Sequence, residues 1–89
     1  MEDDSIKNWI IHYIKICIDT ADLFPELDKW ELHVGMPLQD SCYKFFCNNG
    51  FTVEIWGTIY NGGTIIYYNK SQLLKLKTLK SELEASLDF

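Results

Sequence analysis

The chain has 89 residues, of which 47% are apolar and 15% aromatic, and it carries a net charge of −5 at pH 7. This length corresponds to one domain, spanning residues 1–89, and the apolar content favours a folded chain over a disordered one. All eight basic residues are lysine, and an acidic chain without arginine is poorly suited to binding nucleic acid or anionic membranes.

The amino-terminal residues and the cysteines predict a cytoplasmic protein. Glu2, Asp3 and Asp4 stand where a secretory signal would carry positive charge, and the apolar runs fall far below the ~20 residues that span a bilayer. The three cysteines are odd in number and lack the spacing of a disulfide framework, which favours free thiols in a reducing compartment. Lysine without arginine is typical of AT-rich genomes, including those of many phages and viruses, so the compartment would be the host cytoplasm if the chain is viral.

The first predicted element is a helix over about residues 4–22, which Pro25 ends. Its apolar residues cover an arc of about 220°, whereas a helix on one sheet face needs a stripe only somewhat wider than about 100°. Either the fold wraps this helix on several sides, or part of the arc forms a subunit interface. The residues predicted for self-association are Trp9, Ile11, Tyr13 and Ile18.

Strands are predicted from alternating polarity and from tight-turn sequences. Trp30, Leu32 and Val34 alternate with polar residues, which indicates a short strand. Farther along, two turn sequences rich in Asn and Gly separate three further segments. These three predicted strands cover residues 42–47, 51–60 and 64–69.

A second helix is predicted over about residues 71–87, with Ser71 as its N-cap. A stripe of about 120°, the width expected for a helix that lies on one surface, is formed by Leu73, Leu76, Leu79, Leu83 and Leu87. The sequence therefore predicts a small two-layer α+β domain. Its order is an N-terminal helix, a three- or four-stranded antiparallel meander, and a C-terminal helix.

The predicted strand 51–60 has two different faces, because side chains alternate along a strand. One face is apolar and is predicted to lie in the core: Phe51, Val53, Ile55, Gly57 and Ile59. The other carries Thr52, Glu54, Trp56, Thr58 and Tyr60. Because Trp and Tyr are enriched at binding hot spots, we expect Trp56 and Tyr60 to bind a partner protein. The alternative is that the second helix or the Trp30 strand covers this face.

Acidic residues concentrate after the first helix. Complementary charge steers the encounter between two proteins, so these carboxylates are predicted to attract a partner with a basic surface. The alternative is a solvated loop that keeps the protein in solution. The residues predicted for this role are Asp22, Glu26, Asp28 and Glu31.

Neither a metal site nor an active site is predicted. His33, Cys42 and Cys47 are candidate ligands, but two cysteines five residues apart point to opposite faces of a strand. His12 and Cys17 lie about 140° apart on the first helix, so no set of ligands converges. The chain has no glycine-rich phosphate loop and no nucleophile-elbow pattern. We therefore expect no catalytic, cofactor-binding or metal-binding residue and no enzymatic activity.

The leading hypothesis is a small acidic module that binds another protein stoichiometrically. It would act as an inhibitor or antagonist of the viral anti-defence or immunity type, or as an adaptor, and could form a homodimer. Alternatives are a small-ligand-binding protein or enzyme with a pocket between helix and sheet, a chaperone for a secreted effector, and a nucleic-acid mimic. Convergent polar groups in a cavity would favour a ligand, and a flat aromatic patch with an acidic rim favours a protein.

Overall fold

The computed structural model describes residues 2–58 and 60–87. Six elements follow one another: α1 (Glu2–Leu23), β1 (Lys29–Val34), α2 (Asp40–Asn48), β2 (Thr52–Gly57), β3 (Gly62–Asn69) and α3 (Lys70–Ala85). The strands form one antiparallel sheet in the order β1-β3-β2. The predicted class, a small α+β domain in which a helix, a three-stranded antiparallel sheet and a second helix follow one another along the chain, is confirmed. The predicted meander is wrong, because β1 and β2 are consecutive in the chain but are not neighbours in the sheet.

The last strand, β3, occupies the centre of the sheet, so β1 and β2 are both edge strands. Because each edge strand is antiparallel to β3, β1 and β2 run parallel to each other and need a crossover connection. The segment that contains α2 provides it. Buried Thr64 of β3 fixes this crossover, since its hydroxyl donates to the Met36 carbonyl at 2.9 Å and accepts from the Leu38 N–H at 3.0 Å.

The segment 42–47, predicted as a strand, is instead part of the helix α2. Cys42 and Phe46 lie four residues apart and are both buried, which is the spacing of one helix face. Lys44 pairs with Asp40 one turn earlier, with Nζ and Oδ2 2.9 Å apart. The prediction was wrong because short aromatic segments of this kind fit either period, and only the packing of Phe46 in the core decides between them.

The Asn-Gly sequence predicted to form a hairpin turn ends α2. Gly50 has a φ of 88°, its N–H donates to the Cys47 carbonyl at 3.1 Å, and the Phe51 N–H donates to the Phe46 carbonyl at 3.0 Å. These are the two hydrogen bonds of a Schellman motif. The rings of Phe46 and Phe51 meet edge to face at 5.9 Å, the apolar contact that often accompanies this motif. Hairpin turns and helix C-caps both require positive φ, so the same residues suit either.

The helices cover one face of the sheet, and the core lies between them. Trp30 and Leu32 of β1 and Ile66 and Tyr68 of β3 point into this layer and are buried. Helix α1 packs against β1, α2 and α3, which accounts for much of its broad apolar arc. Its buried residues are Ile10, Tyr13, Ile14, Cys17 and Ala21.

Strand β3 passes directly into α3, and Asn69 joins them. The Asn69 side chain accepts a hydrogen bond from the Gln72 N–H at 2.9 Å, and the Gln72 side chain accepts one from the Asn69 N–H at 2.9 Å. This reciprocal pair is a capping box, so Asn69 and not the predicted Ser71 is the N-cap. Four leucines of the predicted stripe, Leu73, Leu76, Leu79 and Leu83, pack on the core. The fifth, Leu87, lies beyond the end of α3.

Candidate protein-interaction surface

The face of the sheet opposite the helices is uncovered in the part of the chain that the structure describes. Its side chains alternate with the core residues along all three strands. Neither the C-terminal helix nor the Trp30 strand covers this face, which was the alternative to an exposed surface. We call it the open face; it consists of Glu31 and His33 on β1, Ile65 and Tyr67 on β3, and Thr52, Glu54 and Trp56 on β2.

Trp56 is the largest side chain of the open face and is 51% exposed. It lies opposite Gly63 of β3, and a Cβ on Gly63 would come within 2.6 Å of the indole Cζ2 atom. The indole therefore lies across the central strand in the space that the missing side chain leaves. This arrangement keeps one side of the ring against the sheet and leaves the rest to solvent.

Two half-buried residues of β3, Ile65 and Tyr67, extend the apolar surface along the centre of the sheet. The Tyr67 hydroxyl donates to Glu54 Oε2 at 3.0 Å. This hydrogen bond to a carboxylate raises the pKa of the Tyr67 phenol above its ordinary value. On the other edge Glu31 Oε1 lies 3.0 Å from His33 Nε2. Acidic groups thus flank an apolar strip on both sides.

The four acidic residues predicted to steer a partner are all exposed, but only one belongs to the open face. Glu31 lies on it, whereas Asp22 and Glu26 lie at the end of α1 and in the loop after it. Asp28 precedes β1 and pairs with Lys70 at 3.5 Å. Trp56 lies at the opposite end of the sheet from Asp28. The two are separated by about six residues along β3, which corresponds to ~20 Å. Glu54 is the closer carboxylate, and the prediction did not assign it a steering role.

Tyr60 lies in the β2–β3 turn, 92% exposed, and not on the strand with Trp56 as predicted. The strand ends early because Gly57 has a φ of 81° and a Cβ there would meet the Asn61 carbonyl oxygen at 2.3 Å. A glycine within a strand is typical of a bulge or of a close approach by another group. Here the Asn61 carbonyl approaches Gly57, and β2 ends at this residue. Ile59, predicted for the core face, lies outside the described residues.

The four residues predicted for self-association differ in exposure. Tyr13 is 7% exposed and belongs to the core, and Ile18 is half-buried against it. Ile11 is also half-buried. Trp9 is 43% exposed and stacks on Tyr13 with ring centroids 6.0 Å apart. Trp9 is thus the one member of this set that presents a large apolar area to solvent.

A pocket of about 620 Å³ lies where the end of α1 meets β1, β3 and the start of α3. Its apolar lining includes Phe24, Leu27 and Trp30. Some of its polar groups are engaged within the chain: Asn69 and Gln72 form the capping box, and the Trp30 indole N–H donates to the Phe24 carbonyl at 3.0 Å. Other polar side chains, those of Lys29 and Thr52, also line the pocket.

Two of the three cysteines are buried thiols. Cys17 and Cys42 are buried, and burial raises the pKa of both thiols, that of Cys17 to about 12. Both therefore stay protonated at neutral pH, whereas a nucleophilic cysteine needs a thiolate. Cys47 is exposed. Within residues 2–58 and 60–87, no group of three or more His, Cys, Asp or Glu side chains is placed to hold a metal ion.

Comparison of the chain with protein-family models, with curated proteins and with solved structures finds no match in any of the three. Among the described residues, no helix combines the length and the apolar character that crossing a membrane requires.

Proposed function

We propose that this chain is a non-enzymatic protein-binding module and that the open face is its binding surface. The observation that supports this most is the position of Trp56, half exposed and spread over Gly63, with Ile65 and then Tyr67 following on the same face of β3. Aromatic side chains of this kind contribute a large contact area together with one polar group. A contiguous apolar patch with a polar rim is typical of an interaction site.

The charges around the open face favour a partner with a basic surface. Glu31 and Glu54 flank the apolar strip on its two edges, and the chain as a whole carries −5. Complementary potential of this kind mainly accelerates association and sets orientation. The module would act by occupying its partner stoichiometrically, as an inhibitor, an immunity-type antagonist or an adaptor. It would do so in the cytoplasm, where its three thiols stay reduced.

The test compares three baits in extracts of the cells in which the chain is made. They are the natural chain, Trp56→Ala, and the control Leu74→Ala, which removes a side chain of α3 that is 69% exposed. At least one protein should be retained in stoichiometric amount by the natural chain and by the control. Trp56→Ala should retain at least about tenfold less of it, because truncating a hot-spot residue costs about 2 kcal/mol or more.

Circular dichroism should show all three baits equally folded. The proposal fails if the folded Trp56→Ala bait retains the same proteins in the same amounts. It also fails if the natural chain retains no protein that depends on Trp56.

A further inference from the structure

The pocket of about 620 Å³ is continuous with the open face. Glu31, Thr52 and Tyr67 line the pocket, and the same three residues belong to the open face. Tyr67 is opposite Thr52, and Trp56 is opposite Gly63, four residues earlier on β3. The pocket therefore begins about 13 Å from Trp56, and a partner that lies along β3 on the open face reaches it.

The pocket has apolar side chains that the fold leaves uncovered. Phe24 is 48% exposed and Leu27 is 44% exposed, and both line the pocket. The buried rings of Trp30 and Tyr68, stacked with centroids 5.7 Å apart, line it as well. Pockets of roughly 300–1,000 Å³ hold drug-sized molecules, so this one has room for a large side chain.

The loop that carries Phe24 and Leu27 is held in place by hydrogen bonds. The Phe24 carbonyl accepts from the Leu27 N–H at 3.2 Å and from the Trp30 indole N–H at 3.0 Å. The Lys70 N–H donates to the Asp28 carbonyl at 3.2 Å, which ties the end of the loop to the start of α3. Because the pocket is already formed, binding to it does not require the loop to become ordered.

The charges at this end of the sheet are mainly negative. Two lysines are present, Lys29 in the lining of the pocket and Lys70 paired with Asp28. An occupant that carries positive charge is therefore favoured, whereas a second copy of the chain, with its charge of −5, is not. The exposed carboxylates in and beside the loop are those of Asp22, Glu26, Asp28 and Glu31.

We propose that this pocket is a second anchor point for the protein that binds the open face, and that it takes a large apolar side chain flanked by lysine or arginine in the partner's sequence. The inference rests on the proposed function, because the pocket and the open face serve the same partner. It also gives the acidic residues after α1 a different position in the contact. They attract the cations beside this anchor, and not charges around Trp56.

Titration of the full chain with short peptides tests the chemistry of the pocket. The probe is acetyl-Lys-Lys-Phe-Lys-Lys-amide; one control replaces its phenylalanine by glycine, and the other replaces its lysines by glutamate. The probe should shift the Leu27 methyl signals in NMR spectra saturably, with a dissociation constant on the order of 1 mM. Each control should bind at least about fivefold more weakly. No saturable shift, or equal binding of either control, overturns the proposal.

Leu27→Ala and Leu23→Ala form a matched pair. Leu27 lines the pocket, whereas Leu23 is 75% exposed in the same segment and does not. Leu27→Ala should raise the dissociation constant of the probe at least about fivefold, and Leu23→Ala should leave it unchanged. Phe24→Ala removes another part of the lining and should act like Leu27→Ala, so the result does not depend on how one variant folds. Equal effects at positions 23 and 27 contradict the proposal.

A second pair tests the charge. Glu26→Gln should raise the dissociation constant of the probe about two- to fivefold, the range for one exposed ion pair. Glu82→Gln removes an exposed carboxylate of α3 and should not change it. Added salt should weaken binding of the probe. A dissociation constant that responds neither to Glu26→Gln nor to salt overturns the assignment of a cationic occupant.

The bait experiment separates this inference from the proposed function. With Leu27→Ala as a fourth bait, the proteins that Trp56→Ala fails to retain should also be retained at least about fivefold less. If a folded Leu27→Ala bait retains them in full, the inference is overturned and the proposed function stands. If no retained protein depends on Trp56, the proposed function fails and the inference fails with it.

Discussion

Single glycines determine the form of the open face. Gly63 leaves the space in which the Trp56 indole lies, and Gly57, with a φ of 81°, turns the chain back towards β3. The sequence shows both glycines but not what each one faces. The contact between Trp56 and Gly63 depends on the register between β2 and β3. The only hint of it in the sequence is that a large residue, Trp56, stands close to a glycine-rich turn.

Gly63→Ala tests this contact. The new Cβ would lie within 2.6 Å of the indole and 3.0 Å of the Val34 carbonyl oxygen, so the ring must move away from the sheet. We expect a loss of about 1–3 kcal/mol in the free energy of unfolding, as for other overpacked positions. Urea unfolding measures the loss, and the indole signal of Trp56 in NMR spectra should shift.

Gly35→Ala is the matched control, because a Cβ there would meet no atom within 4 Å. Its free energy of unfolding should change by no more than about 0.5 kcal/mol. Equal effects of the two substitutions would show that the indole does not lie over Gly63.

At the scale of elements, periodicity correctly predicted the helix and the strand whose apolar residues all lie on one side. The alternation of Trp30, Leu32 and Val34 gave β1, and the leucine spacing gave α3, with boundaries shifted by a residue or two. The failure at 42–47 has a local cause: Asn49 and Gly50 suit a hairpin turn and a Schellman C-cap equally. Whether a strand or a helix precedes such a turn is decided by packing against the rest of the molecule, which the sequence pattern does not contain.

The assignment of Gly50 to a helix C-cap predicts a specific ranking of substitutions. Because its φ is 88° and a Cβ would meet only Lys75 Nζ at 3.9 Å, the cost of a side chain is conformational and not steric. Gly50→Ala should lower the free energy of unfolding by about 1–2 kcal/mol, the cost of a left-handed residue.

Gly50→Asn should cost less than Gly50→Ala, since Asn adopts this conformation more readily. Thermal unfolding of the two variants gives the ranking, and the helical signal in circular dichroism reports whether α2 is retained. If both variants are as stable as the natural chain, Gly50 does not cap α2 in the way described.

At the scale of the whole molecule, the sheet has one packed face and one face that the fold leaves uncovered. Alternation along β2 predicted that Trp56 points away from the core, and this is what the structure shows. The residues that contact Trp56 could not be predicted from the sequence, because strand register and strand order depend on contacts between segments that are far apart in the chain. For the same reason Asp28 was assigned to the rim of a binding surface although it lies ~20 Å from Trp56.

The central claim is that Trp56 contributes little to the fold and is available for a partner. The most direct measurement is the free energy of unfolding of Trp56→Ala beside that of Trp30→Ala, which truncates the 5% exposed Trp on the packed face of the same sheet. Both are measured by urea unfolding, at a protein concentration low enough for the chain to be monomeric. Trp30→Ala should cost about 3–5 kcal/mol, whereas Trp56→Ala should cost about 1 kcal/mol or less. A Trp56→Ala variant destabilised as much as Trp30→Ala would show that the open face is part of the core and would contradict the account.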